Sequence, residues 1–383
     1  MSAKFIDIDF GPDDAKEDVG LIGYFYQLPG YKDLVSGKKR YIIGAKGCGK
    51  TATREYLRFS KEEDSHFFQQ SISLRDFPLG YIRELRDKKL RDKSQYVSVW
   101  MHLILVELCK MVIKDHGAED NDSYKLISDY IKLNGGIDYG VSQQITLLKE
   151  NSSKVKIGPK WLSGEDNTKN SSSEVIEVNF RKINDVLISA LKRVCSESDY
   201  FIFIDELDEG YSAGDKNLNL ILLALLRAIE DLALILRYTN CNYKPILVLR
   251  SDIFDRLEDN DLNKLDDYVL RLRWSTSEKS PYSLKKLINK RITSSLPDID
   301  GVDWNSVSAE EDQEIPFRNK SLFNYVVTYT RQRPRDIIKL LKVAQDFCEK
   351  DFLDYDCIRR CESDYSDWFY REIRDEVHSH LPI

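Results

Sequence analysis

The chain has 383 residues, of which 42% are hydrophobic and 11% aromatic, so it is long and apolar enough to bury a full sheet with its helices. Its net charge of −7 argues against a broadly basic nucleic-acid-binding surface, although a local basic patch is compatible with it. The seven cysteines lack disulfide-scaffold spacing and no signal-peptide core opens the chain, so we expect a soluble protein in the reducing cytoplasm, with no membrane as partner.

A phosphate-binding loop pattern, G-x-x-x-x-G-K-[ST], spans residues 44–51 and follows a predicted buried strand at 40–43. In such a loop, glycines let backbone N–H groups turn toward phosphates. Lys50 then supplies a point charge for the β- and γ-phosphates, and the Thr51 hydroxyl ligates Mg²⁺. The alternative is an ordinary glycine-rich turn. The residues expected to contact the nucleotide are Gly44, Ala45, Lys46, Gly47, Cys48, Gly49, Lys50, Thr51 and Ala52.

The segments after this loop alternate between helix and strand signals. Up to residue 114 the sequence predicts a helix at 51–59, a strand at 66–72, a charged helix at 79–93 and a helix at 97–114. This alternation is typical of an α/β fold with a parallel sheet. Because His102, Glu107 and Lys110 interrupt the last helix, we interpret it as a buried amphipathic helix rather than a membrane span.

A polar region at about 117–174 is predicted to be an insertion on this core. Within it, residues 137–148 and 155–157 alternate like short strands. Several lysines beside Trp161 suggest either a contact for nucleic acid or another partner or, as the favoured interpretation, a solvated hairpin. These lysines are Lys149, Lys154, Lys156 and Lys160.

A helix at 178–195 leads into an apolar run, 200–204, that ends in the acidic pair Asp205 and Glu206. In a parallel sheet such a run is a strand buried on both faces, and its C-terminal end is expected beside the phosphate loop. We expect Asp205 to hold Mg²⁺ through water and Glu206 to polarise the water that attacks the γ-phosphate. The alternative is a solvated strand end, which is the favoured interpretation for the carboxylates at 208–209.

A helix at 218–237 is followed by a second buried strand, which ends at Arg250. Arg250 is expected to reach the γ-phosphate as a fixed cation, and the alternative is a pair with a nearby carboxylate such as Asp252. Arg256, on the next predicted helix, is a candidate arginine finger into the site of a neighbouring subunit. The alternating segment 268–274 predicts a last strand near a sheet edge.

From residue 280 the signals become helical and predict a second, smaller domain. Its helices are expected at 282–292, 321–330, 334–350 and 365–378. Pro334 suits the first turn of a helix, so Arg335 is expected near its positive end, where it senses the γ-phosphate; the competing interpretation is a surface arginine in a helix cap. The predicted domains are a lead segment at 1–30, a P-loop core at 31–275 and a helical lid at 276–383.

Four segments together resemble the prokaryotic P-loop ATPases of the ASCE division, at the border of the AAA+ and STAND groups. They are 44–51, 201–208, 249–252 and 333–336. The lead at 24–31 is similar to that of a bacterial family of this kind, many members of which lie in phage-defence or mobile-element gene neighbourhoods. The resemblance implies a five-stranded core, with the acidic strand between those carrying the phosphate loop and the other elements, and a helical lid. It also implies nucleotide-dependent assembly into a homo-oligomer and, because no effector follows the lid helices, a partner protein that carries the effector.

The resulting hypothesis is an Mg²⁺-dependent ATPase that couples ATP binding or hydrolysis to assembly or to a partner, with Lys50, Glu206, Arg250 and Arg335 as catalytic residues. Two alternatives stay open: a slowly hydrolysing nucleotide-binding switch and a nucleic-acid-stimulated ATPase. A small-molecule kinase is disfavoured, because the acidic pair suits activation of water rather than of a bound acceptor. The Asn-Lys-x-Asp match at 263–266 follows a polar run instead of a buried strand, so we interpret it as chance and expect ATP rather than GTP.

Overall fold

A computed structural model gives the fold of most of the chain. It describes residues 3–73, 82–83, 85–86, 91–119, 121–150, 154–157, 174–177, 180–207, 215–259, 262–309 and 321–378. These residues form two compact units. The first consists of residues 1–61, 250–252 and 270–383, and the second of residues 62–249 and 253–269.

The strands form one large sheet and one small one. Their bounds are β1 (Tyr41–Gly44), β2 (Phe67–Ser73), β3 (Lys154–Ile157), β4 (Glu174–Glu177), β5 (Asp199–Asp205), β6 (Asn242–Arg250) and β7 (Val269–Leu272). Five of them form a parallel sheet in the order β2-β5-β6-β1-β7, and β3 pairs with β4 in antiparallel fashion. The predicted α/β class, parallel sheet and edge position of the last strand are therefore confirmed.

One expected feature of the sheet order is wrong. The resemblance placed the acidic strand between the phosphate-loop strand and the other elements, but β6 lies between β5 and β1. The apolar run of β5 is fully buried from Tyr200 to Ile204. β6 is equally apolar from Ile246 to Leu249, so hydrophobicity alone does not decide which of the two is next to β1.

The helices predicted at 51–59, 97–114, 178–195, 218–237, 282–292 and 321–330 fall close to their predicted places, whereas the helix at Asp122–Leu133 was not predicted. The described residues form α1 (Leu21–Tyr24), α2 (Tyr31–Val35), α3 (Lys50–Ser60), α4 (Ser94–Lys114), α5 (Asp122–Leu133), α6 (Val141–Glu150), α7 (Phe180–Arg193), α8 (Lys216–Ile235), α9 (Ser251–Phe254), α10 (Leu284–Ser295), α11 (Trp304–Val307), α12 (Leu322–Thr328), α13 (Pro334–Gln345) and α14 (Tyr355–His378). Most of the helix predicted at 79–93 lies outside the described residues.

The prediction of short strands at 137–148 is wrong, because this stretch contains helix α6. Val141, Gln144, Ile145 and Leu148 recur at the i, i+3, i+4, i+7 spacing of one helix face, and Gln144 and Ile145 are buried. The short strand predicted at 155–157 is confirmed as β3. The side chains of the insertion's lysines and of Trp161 lie outside the described residues.

Helix α14 begins ten residues before its predicted start. The buried Asp354 directly precedes it and accepts a hydrogen bond from the Cys357 N–H at 2.9 Å, which is the contact of an N-cap residue. In turn, α13 ends at Gln345, five residues before the predicted helix end. The cap at Asp354 explains why α14 starts at Tyr355.

The second unit is built around helix α4, which packs against α5, α7, α8 and the strands β2 and β5. The Trp100 Nε1–H donates to the Ile221 carbonyl at 2.9 Å inside this core. Among the described residues, α4 is the helix long and apolar enough to cross a membrane, with a mean hydropathy of 1.7, but 83% of that window is buried in the fold. It is thus placed as a core helix, as its interrupting polar residues predicted.

The N-terminal segment and the C-terminal helices share one hydrophobic core in the first unit. Phe5, Ile8 and Phe10 are almost fully buried in this core, which otherwise consists mainly of side chains of α10 to α14. The Phe5 N–H donates to the Asp351 carbonyl at 2.7 Å, and the Gln345 side chain donates to the carbonyls of Phe5 and Ile8 at 3.0 and 2.8 Å. The start of the predicted lead segment is therefore a structural part of the helical domain.

Candidate functional site

The phosphate-loop sequence connects the buried strand β1 to helix α3 in the first unit. Gly47 and Gly49 have φ values of 78° and 100°, in the left-handed region that glycine adopts without strain. Gly49 precedes the first residue of α3, so the chain turns there directly into the positive end of an 11-residue helix. This loop geometry is the kind that binds anions through its backbone.

Three successive carbonyl oxygens of the loop accept hydrogen bonds from other parts of the first unit. The Arg333 guanidinium donates to the Lys46 carbonyl at 2.9 Å, the Arg335 backbone N–H to the Gly47 carbonyl at 3.3 Å, and the Trp274 indole N–H to the Cys48 carbonyl at 2.9 Å. These bonds fix the peptide planes of the loop from outside. Preorganisation of this kind lowers the cost of ordering the loop around a phosphate.

Lys50 and Thr51 occupy the first two positions of α3. The Lys50 ammonium donates to the carbonyls of Gly44 and Ala45, both at 3.0 Å, and so lies against the entry to the loop. The thiol of Cys48 is buried, and burial raises its pKa. The loop therefore carries one cation at its helix end and a neutral thiol.

Arg333 is the cation held most firmly near the loop. Its guanidinium donates to both carboxylate oxygens of Asp336, at 2.9 and 3.1 Å, and to Glu376 at 3.2 Å. Burial alone would lower the pKa of Arg333, but the bonds and charges of Asp336 and Glu376 raise it above its ordinary value. The sequence indicated Arg333 only as part of the segment 333–336, and its contact with Lys46 could not be predicted from that segment.

Arg250 and Arg335, two other predicted cations, lie in ion pairs. Arg250 is buried and donates to Asp252 at 3.0 and 2.8 Å, which is the pairing weighed as the alternative to a phosphate contact. Arg335, on the first turn of α13, lies 3.5 Å from Glu372 and is 37% exposed. Arg256 is exposed, and its role as a finger stays a prediction.

The predicted acidic pair lies at the end of β5 in the second unit. Asp205 is buried, and its carboxylate accepts a hydrogen bond from the Glu206 N–H at 2.7 Å. Glu206 has φ 61°, which costs a residue with a side chain of order 1–3 kcal/mol. The Ser73 hydroxyl, at the end of β2, donates to the Glu206 carboxylate. Asp208 and Glu209 lie outside the described residues.

The chemistry of the donors fits Mg²⁺ better than a transition metal. Thr51 and Asp205 offer hard oxygen ligands, and Mg²⁺ usually keeps several waters and binds through one or two carboxylates plus the substrate's phosphates. Within the part of the chain that the structure describes, there is no group of three His, Cys, Asp or Glu side chains arranged to hold a metal by themselves.

An apolar cavity of about 60 Å³ adjoins the phosphate loop within the first unit. Its walls include Gly49 and Ala52 of the loop and helix α3, the aromatic rings of Tyr26 and Trp274, and the side chain of Leu270. The Phe25 ring, also in the wall, stacks on Tyr56 with centroids 4.2 Å apart. An aromatic-lined, apolar pocket is suited to a flat heterocycle. The cluster of aromatic residues at 24–31 was the sequence signal for it, but no pocket was inferred from it.

The fold and the site define an α/β protein with a five-stranded parallel sheet and a C-terminal helical domain. Within it, residues 282–374 match the model of the FunZ-associated C-terminal helical domain. This match covers α10 to α13 and most of α14, so the similarity concerns the helical part of the first unit. No curated protein matches the chain.

Proposed function

We propose that the protein is an Mg²⁺-dependent ATPase whose nucleotide binds at the loop between β1 and α3. The observation that carries this proposal is the set of bonds that Arg333, Arg335 and Trp274 make to three successive loop carbonyls at the positive end of α3. A loop restrained in this way favours binding of a polyphosphate, and Lys50 adds a cation beside it.

The aromatic cavity supports a nucleotide rather than free phosphate. It lies beside Gly49 and Ala52, where a base attached to a loop-bound phosphate chain would find apolar walls. The rings of Tyr26 and Trp274 offer stacking surfaces for a purine. ATP is proposed because the Asn-Lys-x-Asp match lies in a 3₁₀-helix, Leu262–Tyr268, with Lys264 and Asp266 exposed.

Hydrolysis is assigned to the acidic pair at the end of β5. Thr51 and Asp205 would hold Mg²⁺, which supplies charge neutralisation for the phosphates when bound. Glu206 would accept a proton from the attacking water, and Arg250 and Arg335 would stabilise charge on the γ-phosphate. The proposal requires these residues and the phosphate loop to act on one nucleotide.

A second candidate function, a nucleotide-binding switch with slow turnover, is favoured by the state of Glu206. Its backbone is in the left-handed region and its carboxylate is bonded to Ser73, so it must be released before it acts as a base. Under either function, we propose that ATP binding promotes self-association or recruitment of a protein partner. Light scattering with and without a non-hydrolysable ATP analogue measures the change in mass.

Two pairs of variants test the proposal. Lys50→Ala should abolish ATP binding measured by calorimetry, whereas Lys38→Ala, which removes an exposed lysine of the same unit, should leave it unchanged. Glu206→Gln should keep ATP affinity and lower turnover by a factor of about 10², while Glu197→Gln, an exposed residue before β5, should not.

The outcomes separate the candidates. Tight ATP binding by the wild-type chain with turnover no higher than that of Glu206→Gln, alone and with added DNA or RNA, identifies the switch. Turnover that rises with nucleic acid identifies the stimulated ATPase. A wild-type chain that takes up neither ATP nor GTP in the presence of Mg²⁺ overturns the proposal.

A further inference from the structure

Two carboxylates on one face of α14 meet the cations around the phosphate loop. Glu372 and Glu376 are four residues apart, so they lie one helical turn from each other. Glu372 lies 3.4 Å from the Lys46 ammonium, which belongs to the loop itself, and 3.5 Å from the Arg335 guanidinium. Glu372 thus pairs with two cations, and the sequence predicts that both of them contact a bound nucleotide.

Glu376 has different surroundings. It is bonded to Arg331 and Arg333 and lies 3.9 Å from Arg250. Its side chain is 13% exposed, and those of Arg333 and Arg250 are 6% exposed. A buried carboxylate among several arginines is expensive to remove, because it would leave uncompensated buried charge. Glu376 therefore anchors the end of α14.

The ion pairs of Glu372 are easier to replace than those of Glu376. Lys46 and Arg335 are 28% and 37% exposed, and Glu372 is 21% exposed. Ion pairs of this exposure contribute little to stability, so a phosphate with a higher charge competes with them effectively. A carboxylate in this position is a weak internal competitor for an incoming anion.

We propose that α14 is a nucleotide-sensitive strap, in which Glu372 holds Lys46 and Arg335 until the phosphates of a bound nucleotide take these cations. Glu376 keeps its arginines when Glu372 is released, so the helix loosens around Glu372 without leaving the fold. This regulation rests on the proposed nucleotide site. In this way the conformation of the helical domain depends on whether a nucleotide is bound at the loop.

The test compares Glu372→Gln with Glu362→Gln, an exposed glutamate on the same helix that lies outside this cluster of ion pairs. Removing the competitor should tighten binding of a non-hydrolysable ATP analogue by roughly 2- to 10-fold, from the loss of one or two exposed ion pairs. Glu362→Gln should change the affinity less than 2-fold. Because Glu372 is partly exposed, its amide variant should fold, and thermal unfolding of both variants checks this directly.

Hydrogen exchange supplies a second readout. The analogue should speed amide exchange in the part of α14 around Glu372 in the wild-type chain and have little further effect in Glu372→Gln, where the contact is already absent. Equal affinities for the two glutamine variants, or slower exchange around Glu372 when the analogue binds, would overturn the strap alone. If neither the wild-type chain nor Glu372→Gln binds the analogue, the proposed function fails and the strap fails with it.

Discussion

The pair Arg333–Asp336 offers the most quantitative test of how the loop is held. Asp336 is fully buried, and its carboxylate accepts both hydrogen bonds from the Arg333 guanidinium as well as one from the Arg331 N–H at 3.1 Å. Asp336→Asn keeps the size of the side chain but removes its charge and some of its acceptor capacity. Arg333 would then remain buried with fewer partners.

The expected cost follows from these contacts. Breaking a buried ion pair costs about 3–5 kcal/mol when the remaining charge has no other partner. Arg333 keeps Glu376 at 3.2 Å and the Lys46 carbonyl at 2.9 Å, so we expect a smaller loss of about 2–3 kcal/mol in the free energy of unfolding. ATP binding should weaken as well, since the guanidinium that donates to the Lys46 carbonyl is held by fewer partners.

Urea denaturation followed by circular dichroism measures the stability loss, and calorimetry measures the affinity. Asp351→Asn is the matched control, because Asp351 lies in the same helical domain but its pair with Lys4 is more than 40% exposed on both sides, and its cost should stay below about 1 kcal/mol. Replacing both partners with apolar residues, Arg333→Met with Asp336→Leu, should recover most of the stability but not the affinity. A loss below 1 kcal/mol for Asp336→Asn would refute this account of the pair.

Two further predictions concern the second unit. His102 is buried against Asn184, and burial lowers its pKa from 6.5 to about 4. The unfolded chain therefore binds the proton more tightly than the folded chain does. As the pH falls from about 6.5 to 4, the free energy of unfolding should decrease by roughly 3 kcal/mol. Thermal unfolding across this range should show a flatter profile for His102→Gln, and an unchanged profile would contradict the burial argument. Ser73→Ala removes the hydrogen bond from Ser73 to the Glu206 carboxylate and should raise ATP turnover several-fold. Ser71→Ala, which changes an exposed serine on the same strand, should leave turnover unchanged, and equal rates for the two variants would exclude restraint by Ser73.

The parts of the fold that sequence predicted well are those set by local chemistry. The apolar runs of β1 and β5 identify buried strands, and glycines at positions 47 and 49 identify a left-handed turn before a helix. The stretch at 137–148 failed because alternation over a few residues competes with the i, i+3, i+4 pattern that α6 follows. A local sequence pattern identifies a helix or a strand best when its apolar residues fit only one of the two periodicities.

The contacts that shape the site were beyond the reach of such patterns. Glu372 and Glu376 sit on a highly charged helix, where acidic residues four apart normally indicate a solvated face. Only the folded chain shows that they meet Lys46 and Arg333, which are far away in sequence. The left-handed backbone conformation of Glu206 could not be predicted from the sequence either, since a glutamate gives no reason to expect it.

The C-terminal helices of the first unit do more than cover the loop as a lid would. The core of these helices is completed by Phe5 and Phe10 from the other end of the chain, and Arg333 joins the same helices to the Lys46 carbonyl. A lid that only covers a bound ligand would leave the empty loop unchanged. Here the helical segment supplies hydrogen bonds to the loop's own backbone, so its position and the shape of the loop cannot vary independently. An anion that shifts the loop on binding therefore changes the energy of the helical domain, and the factor by which it changes the affinity for a partner bound to those helices is the factor by which that partner changes the affinity for the anion.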